Sequence, residues 1–213
     1  MLLLAFDTAT PAITVAVHDG TSVLARADGE GSMAHGEWLV PFIDKALREA
    51  RATMADVTDV AVGVGPGPFT GLRVGVVTAL TLGATLGLKT HGVCSLDIIA
   101  AAVAEKREFL VATDARRKEV YWARYGADGR RLEGPDVLKP ADLALRHTLL
   151  PVYGRGAVLY ADLLGGTAGP TDPDAGVLAG AVVEGVVEEY PLEPLYLRRP
   201  DAIPQAAQKP KPA

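Results

Sequence analysis

Two aspartates, Asp7 and Asp114, each close an apolar run. A carboxylate at a strand end can hold a metal–phosphate group, act as a base, or simply accept nearby backbone N–H groups as a turn former. The residues that follow are poor phosphate cradles. Neither Thr8-Ala9-Thr10-Pro11 nor Ala115-Arg116-Arg117-Lys118 contains a glycine to let bare N–H groups approach a ligand. Arg116, Arg117 and Lys118 can meet phosphate or RNA, or form a solvated charged face. Gly63–Gly75, GVGPGPFTGLRVG, has an unusual backbone path set by alternating glycine and proline, with Thr70 as a helix N-cap candidate. It is not a Walker loop, because no Lys-Ser/Thr follows the glycines, and it lacks the G-x-G-x-x-G spacing. The four histidines include no pair at helical spacing, and Cys94 is the single cysteine. No metalloprotease, Cys-x-x-Cys or nucleophile-elbow motif occurs. No catalytic residue and no metal ligand is therefore assigned.

The elements that must position these residues follow from hydrophobic periodicity. Leu2–Phe6 reads as a buried strand, Ile13, Val15 and Val17 alternate as a second, and Asp19-Gly20 turns the chain into a third over Thr21–Ala27. Apolar residues from Trp38 to Ala50 recur at helical spacing, with Pro41 either in the first turn or kinking the helix. Val60–Val64 is a strand. The helix expected over Thr70–Gly87 carries small residues at strict four-residue spacing: Gly71, Gly75, Ala79, Gly83 and Gly87. Glycine inside a helix costs about 1 kcal/mol relative to alanine, so close approach by another backbone should compensate. Either a neighbouring part of the chain or a separate subunit can supply it. FLVATDARRKEVYWARYGADG, from Phe109, repeats the strand–Asp–turn–strand–Asp-Gly order of LLLAFDTATPAITVAVHDG, from Leu2. This predicts two lobes, 1–104 and 105–199, with a strand over Leu149–Tyr153, a helix over Gly176–Tyr190 and a flexible tail over 200–213.

The chain has 213 residues, 49% hydrophobic and 22% charged, enough for one large domain or two modest lobes. Its net charge of −5 opposes a free-standing nucleic-acid-binding module. The N-terminus has no basic segment before its apolar run, so no signal peptide is read. The longest uncharged stretch, Val74–Leu88, falls short of the roughly 20 residues of a membrane span. A cytoplasmic location is expected.

LLLAFDTATPAITVAVHDG, HGEWLVPFIDKAL, AVGVGPGPFTGLRVGVVTALTLG, THGVCSLDIIA, DARRKEVYWARY and PLYLRRPDA, in that order, resemble the TsaB (YeaZ) family, from Leu2 to about Ala202. The resemblance implies an α/β fold of two actin-like lobes (sugar kinase/Hsp70/actin, ribonuclease H-like). It also implies a non-catalytic partner of the TsaD transferase and the ATPase TsaE in making threonylcarbamoyladenosine on tRNA. No cofactor of its own is implied, although ATP or ADP can sit at the complex interface, and a homodimer can form alone. The family's helix packing makes Trp38, Leu39, Phe42, Thr70, Gly71, Gly75, Ala79 and Gly83 the candidate partner interface. Asp7, Arg73, Arg116, Arg117 and Lys118 are the candidate nucleotide or tRNA contacts. The rival reading is an actin-like ATP-dependent phosphotransferase using Asp7. Pro68 departs from the small residue expected at its position.

Overall fold

The computed structural model describes residues 1–30, 35–166 and 168–198. The predicted repeat appears as repeated topology. In the first half, β1 (Leu3–Asp7), β2 (Ala12–His18) and β3 (Val23–Glu30) form an antiparallel meander. Helix α1 (His35–Glu49) then leads to β4 (Asp59–Gly65), which pairs parallel with β1. In the second half, β6 (Phe109–Asp114), β7 (Val120–Tyr125) and β8 (Arg131–Leu138) form the same meander. Helix α4 (Pro140–Arg146) leads to β9 (Val152–Tyr153), parallel with β6. The first sheet continues through α2 (Phe69–Leu86) into β5 (Lys89–Cys94), and α3 (Ser95–Ala101) follows; the second sheet stops at β9.

Strands β1 and β4 are buried along their full length, as their unbroken apolar runs require when helices cover both faces. One face packs on α1 and α2 through Phe6, Val15, Leu39, Ile43, Val62, Leu72 and Val76. The other packs through Leu3, Ala5, Ile98 and Leu178 on α3 and α7 (Ala175–Glu184). The second sheet packs on α3 through Phe109, Val111 and Tyr125, and on its far side through Trp122, Leu143 and Ala157. The short helices α5 (Arg155–Leu159) and α6 (Ala161–Leu164) follow β9.

Several boundaries differ from expectation. The last helix ends at Gly185 in a left-handed cap, and the chain then forms β10 (Glu189–Tyr190) on the edge of the first sheet, beside β5. Helix α7 also packs on β1 and β2. The segment from α7 to β10 therefore packs on the first sheet, while Leu197 and Arg198 after it touch the second, so the described part of 105–199 is not one continuous second lobe. The third strand starts at Val23 and β9 spans two residues of the predicted Leu149–Tyr153. Pro68, not Thr70, is the N-cap of α2, and Gly87 is its left-handed C-cap rather than part of the helix. The tail from Pro200 lies outside the described residues.

By length and composition α2 is apolar enough to cross a membrane, but its Gly71, Leu72, Gly75, Val76 and Ala79 side is packed on the sheet.

Candidate functional site

Asp7 ends β1 with its carboxylate enclosed and 1% exposed. Its Oδ1 accepts the Ala9 N–H at 2.7 Å, and its Oδ2 accepts the Ser95 hydroxyl at 2.6 Å. Ser95 Oγ in turn accepts the Gly65 N–H. Behind the carboxylate, a Cβ at Gly63 would lie 1.7 Å from Oδ2. Burial pushes the Asp7 carboxyl up to about 6, against the lowering by Ser95 and Ala9, and the Asp172 charge adds to the rise. All these partners are structural. The carboxylate closes a turn, as the plainer sequence reading has it, and its oxygens face protein on each side.

Between the lobes, Ala9, Thr10, Pro11 and Pro68 face Thr113, Asp114, Arg116 and Arg155 across a cavity of about 10 Å³. That is space for about one water. Arg155, in the cavity lining, makes a two-toothed pair with Asp172, at 3.0 and 2.8 Å. Asp114 stands at the mouth, where its Oδ1 accepts the Arg116 N–H at 2.8 Å. The structure thus brings Asp7 and Asp114 to corresponding strand ends, with Asp7 enclosed and Asp114 in the lining of the interlobe cavity.

Arg116, Arg117 and Lys118 all have positive φ, at 61°, 53° and 59°, and all are exposed. Left-handed backbone at a non-glycine residue costs roughly 1–2 kcal/mol. The turn is closed by Ala115 N–H to Glu119 O and Glu119 N–H to Arg116 O, and Arg198 donates to Ala115 O. Arg73 lies elsewhere. Its guanidinium sits 3.6 Å from the centre of the Phe69 ring, and its Nε donates to the Tyr196 hydroxyl at 2.6 Å. It does not line the cleft.

The small-residue ladder requires correction as an interface. Gly71, Gly75 and Ala79 are buried, and their side of α2 lies on the chain's own sheet. The Thr8 hydroxyl donates to Gly71 O and accepts the Gly75 N–H, bridging two groups that a regular helix joins directly. A Cβ at Gly75 would lie 2.6 Å from Thr8 Oγ1, and one at Gly83 would lie 2.5 Å from Thr90 Cγ2. Leu39 is likewise in the core, 1% exposed. Of the predicted interface, Trp38 and Thr70 are exposed, and Phe42 is half-buried, stacked on Trp38.

What α2 presents outward is the other side: Phe69, Arg73, Val77 and Leu80, with Phe69 stacked on Tyr196. On the neighbouring helix, Trp38 and Val40 are half or more exposed. This apolar strip escapes a reading of the sequence because the glycine ladder points to the opposite side of α2; the spacing of Phe69, Arg73 and Val77 is the signal that could have found it.

Among the described residues, no three His, Cys, Asp or Glu side chains gather as a metal site. His35 bonds Thr10 O, His91 lies between Asp59 and Glu189, and His18 accepts the Gly20 N–H. His147 lies against Trp122. Among the described residues, none of these histidines is hydrogen-bonded to a serine or to the cysteine.

Comparison with known proteins agrees with the architecture. A family model described as TsaD, tRNA N6-adenosine threonylcarbamoyltransferase, matches residues 29–155. An uncharacterized protein of Mycobacterium leprae is 45% identical over 97% of this chain, which spans 57% of that protein. The tRNA threonylcarbamoyladenosine biosynthesis protein TsaB of Escherichia coli is 35% identical over 66% of this chain and 63% of its own length. The crystal structure of a Pseudomonas aeruginosa protein described as similar to peptidase YeaZ superposes with a TM-score of 0.76 at 27% identity, covering 92% of this chain and 99% of that one. A family match across more than half of the sequence, a TsaB relative and a fold shared with a YeaZ-like structure together show that the chain belongs to the TsaB (YeaZ) family, akin to the TsaD transferases.

Proposed function

We propose that this protein is a non-catalytic subunit in the synthesis of threonylcarbamoyladenosine on tRNA, where it docks on a TsaD-type transferase and works with a TsaE-type ATPase in the cytoplasm. The closed interlobe cleft is the observation that carries the non-catalytic reading. Between residues 9–11 and 113–116 the cavity is about 10 Å³, space for about one water, and the Asp7 carboxylate nearby is 1% exposed with protein donors on both oxygens. ATP or ADP is therefore assigned to the junction with the partner rather than to this chain. The test is reconstituted tRNA modification with and without this chain, beside phosphate release from ATP by the chain alone. Modification should depend on the chain, and the isolated chain should release no phosphate above background. Turnover abolished by Asp7→Asn would restore the phosphotransferase.

The docking surface in this reading is the outward strip of α1 and α2, with Trp38, Val40, Phe69, Arg73, Val77 and Leu80 exposed. Aromatic and arginine side chains are the usual anchors of protein interfaces. The same strip pairs with a second copy when the partner is absent. Val77→Asp and Leu80→Asp should leave the melting temperature within a few degrees, because both side chains are about half exposed. Each should weaken partner binding by roughly 2 kcal/mol or more, about thirtyfold, if it sits in a desolvated interface. Calorimetric titration of both variants against the partner measures this, and unchanged affinity would move the interface elsewhere.

A further inference from the structure

We propose that the β6–β7 turn, residues 115–119, is a contact for the phosphodiester backbone of RNA; the identity of that RNA as tRNA rests on the function proposed above. The turn places three successive cations in left-handed backbone, a conformation in which Gly, Asn or Asp would be easier. Their like charges also repel. Arg116, Arg117 and Lys118 are all exposed, so none of them belongs to the core. The scaffold nevertheless fixes them. Asp114 accepts the Arg116 N–H, two backbone bonds close the turn, and Arg198 ties Ala115 O to the C-terminal segment. In such a turn successive side chains radiate in different directions, so the three cations fan out from one tip. Arg116 also lies 3.4 Å from Asp114 and Arg198 pairs with Glu119, which holds a fourth cation beside the turn in a chain whose overall balance is acidic.

A rigid fan of guanidinium and ammonium groups suits phosphates spaced along a strand, and arginine grips them two-pronged. The tip carries no exposed aromatic side chain to stack a base, so the contact should be insensitive to sequence.

The experiment measures binding of fluorescent unmodified tRNA by anisotropy across 25–300 mM salt, for the isolated chain and for its complex with the transferase. It compares the parent with Arg116→Ala/Arg117→Ala/Lys118→Ala and with the conservative Arg116→Lys/Arg117→Lys. The triple variant should bind on the order of tenfold more weakly at 100 mM salt. Its slope of log affinity against log salt should be shallower by about two to three, one for each phosphate that is no longer neutralised. The lysine variant should keep most of the slope, and all three proteins should melt alike and co-elute equally with the transferase. Unchanged affinity and slope in the triple variant would overturn the proposal. So would loss of co-elution with tRNA binding intact, which would make the turn a contact for an acidic protein surface. If the parent forms no complex, the proposed function fails, and the low-salt titration of the isolated chain still decides the RNA contact.

Discussion

Gly75→Leu should abolish folding of the first lobe rather than loosen an assembly. The Cβ alone would lie 2.6 Å from Thr8 Oγ1, and the wall beyond includes Val62 Cγ2 at 3.4 Å. Thr8 is 1% exposed and its hydroxyl is committed to Gly71 O and the Gly75 N–H, so it has nowhere to turn. A leucine here would have to displace β1 and β4, and overpacking on that scale exceeds the usual 1–3 kcal/mol. We expect insoluble protein, or a loss above about 4 kcal/mol. Gly75→Ala is the gentler probe and should cost about 1–3 kcal/mol in the parent. In a Thr8→Ala background the same change should be nearly neutral, because the obstructing oxygen is gone and alanine gains about 1 kcal/mol of helix propensity. A double-mutant cycle by urea unfolding should therefore give a coupling of about 1–3 kcal/mol between positions 8 and 75. A coupling near zero would mean that the ladder does not rest on Thr8.

That reversal shows where sequence reasoning reached and where it stopped. The repeat was legible because alternation, a terminal Asp and an Asp-Gly turn recur in both halves, and these are local signals. The four-residue ladder was legible as a demand for close packing, and the demand is real. What supplies the packing is a residue more than sixty positions away, and nothing at Thr8 announces a hydroxyl bonded to two backbone groups of a helix. The helix is apolar on both sides, so composition left its inward side undecided. The left-handed turn at Arg116–Lys118 was equally hidden: the charge run was visible, but three cations carry no signal for positive φ. The return of α7 and β10 to the first lobe is a matter of tertiary pairing between β5 and β10, a two-residue strand with little periodicity of its own.

Asp7 yields the second large effect, and its sign separates a structural carboxylate from a catalytic one. The folded carboxyl titrates near 6 against an ordinary 3.8, chiefly because burial disfavours the charge. A raised folded value means that the native state binds the proton more tightly than the unfolded chain. The stability contributed by protonated Asp7 is thus full below about pH 3.8, is lost as pH rises through about 6, and is absent above that. The difference corresponds to about 3 kcal/mol. Asp7→Asn removes the charge while an amide oxygen can still accept the Ala9 N–H, although Ser95 must turn its hydroxyl to accept from the new amide. Subtracting the parent melting curve from that of the variant cancels the exposed carboxylates, such as Asp19 and Asp56, whose lowered values act in the opposite direction. The difference should climb in favour of asparagine between about pH 4 and pH 7, by roughly 6–10 °C for a chain of this size. It should be flat on either side of that range. Tenfold salt should change it little, since the enclosed carboxylate is poorly screened. A base that touches substrate would behave differently, because its neutral isostere would silence modification whatever it did for stability. Retained modification with a pH-dependent gain in melting temperature assigns Asp7 to the turn. Lost modification with a pH-independent melting difference would assign it to the reaction and undo the non-catalytic reading at its strongest point.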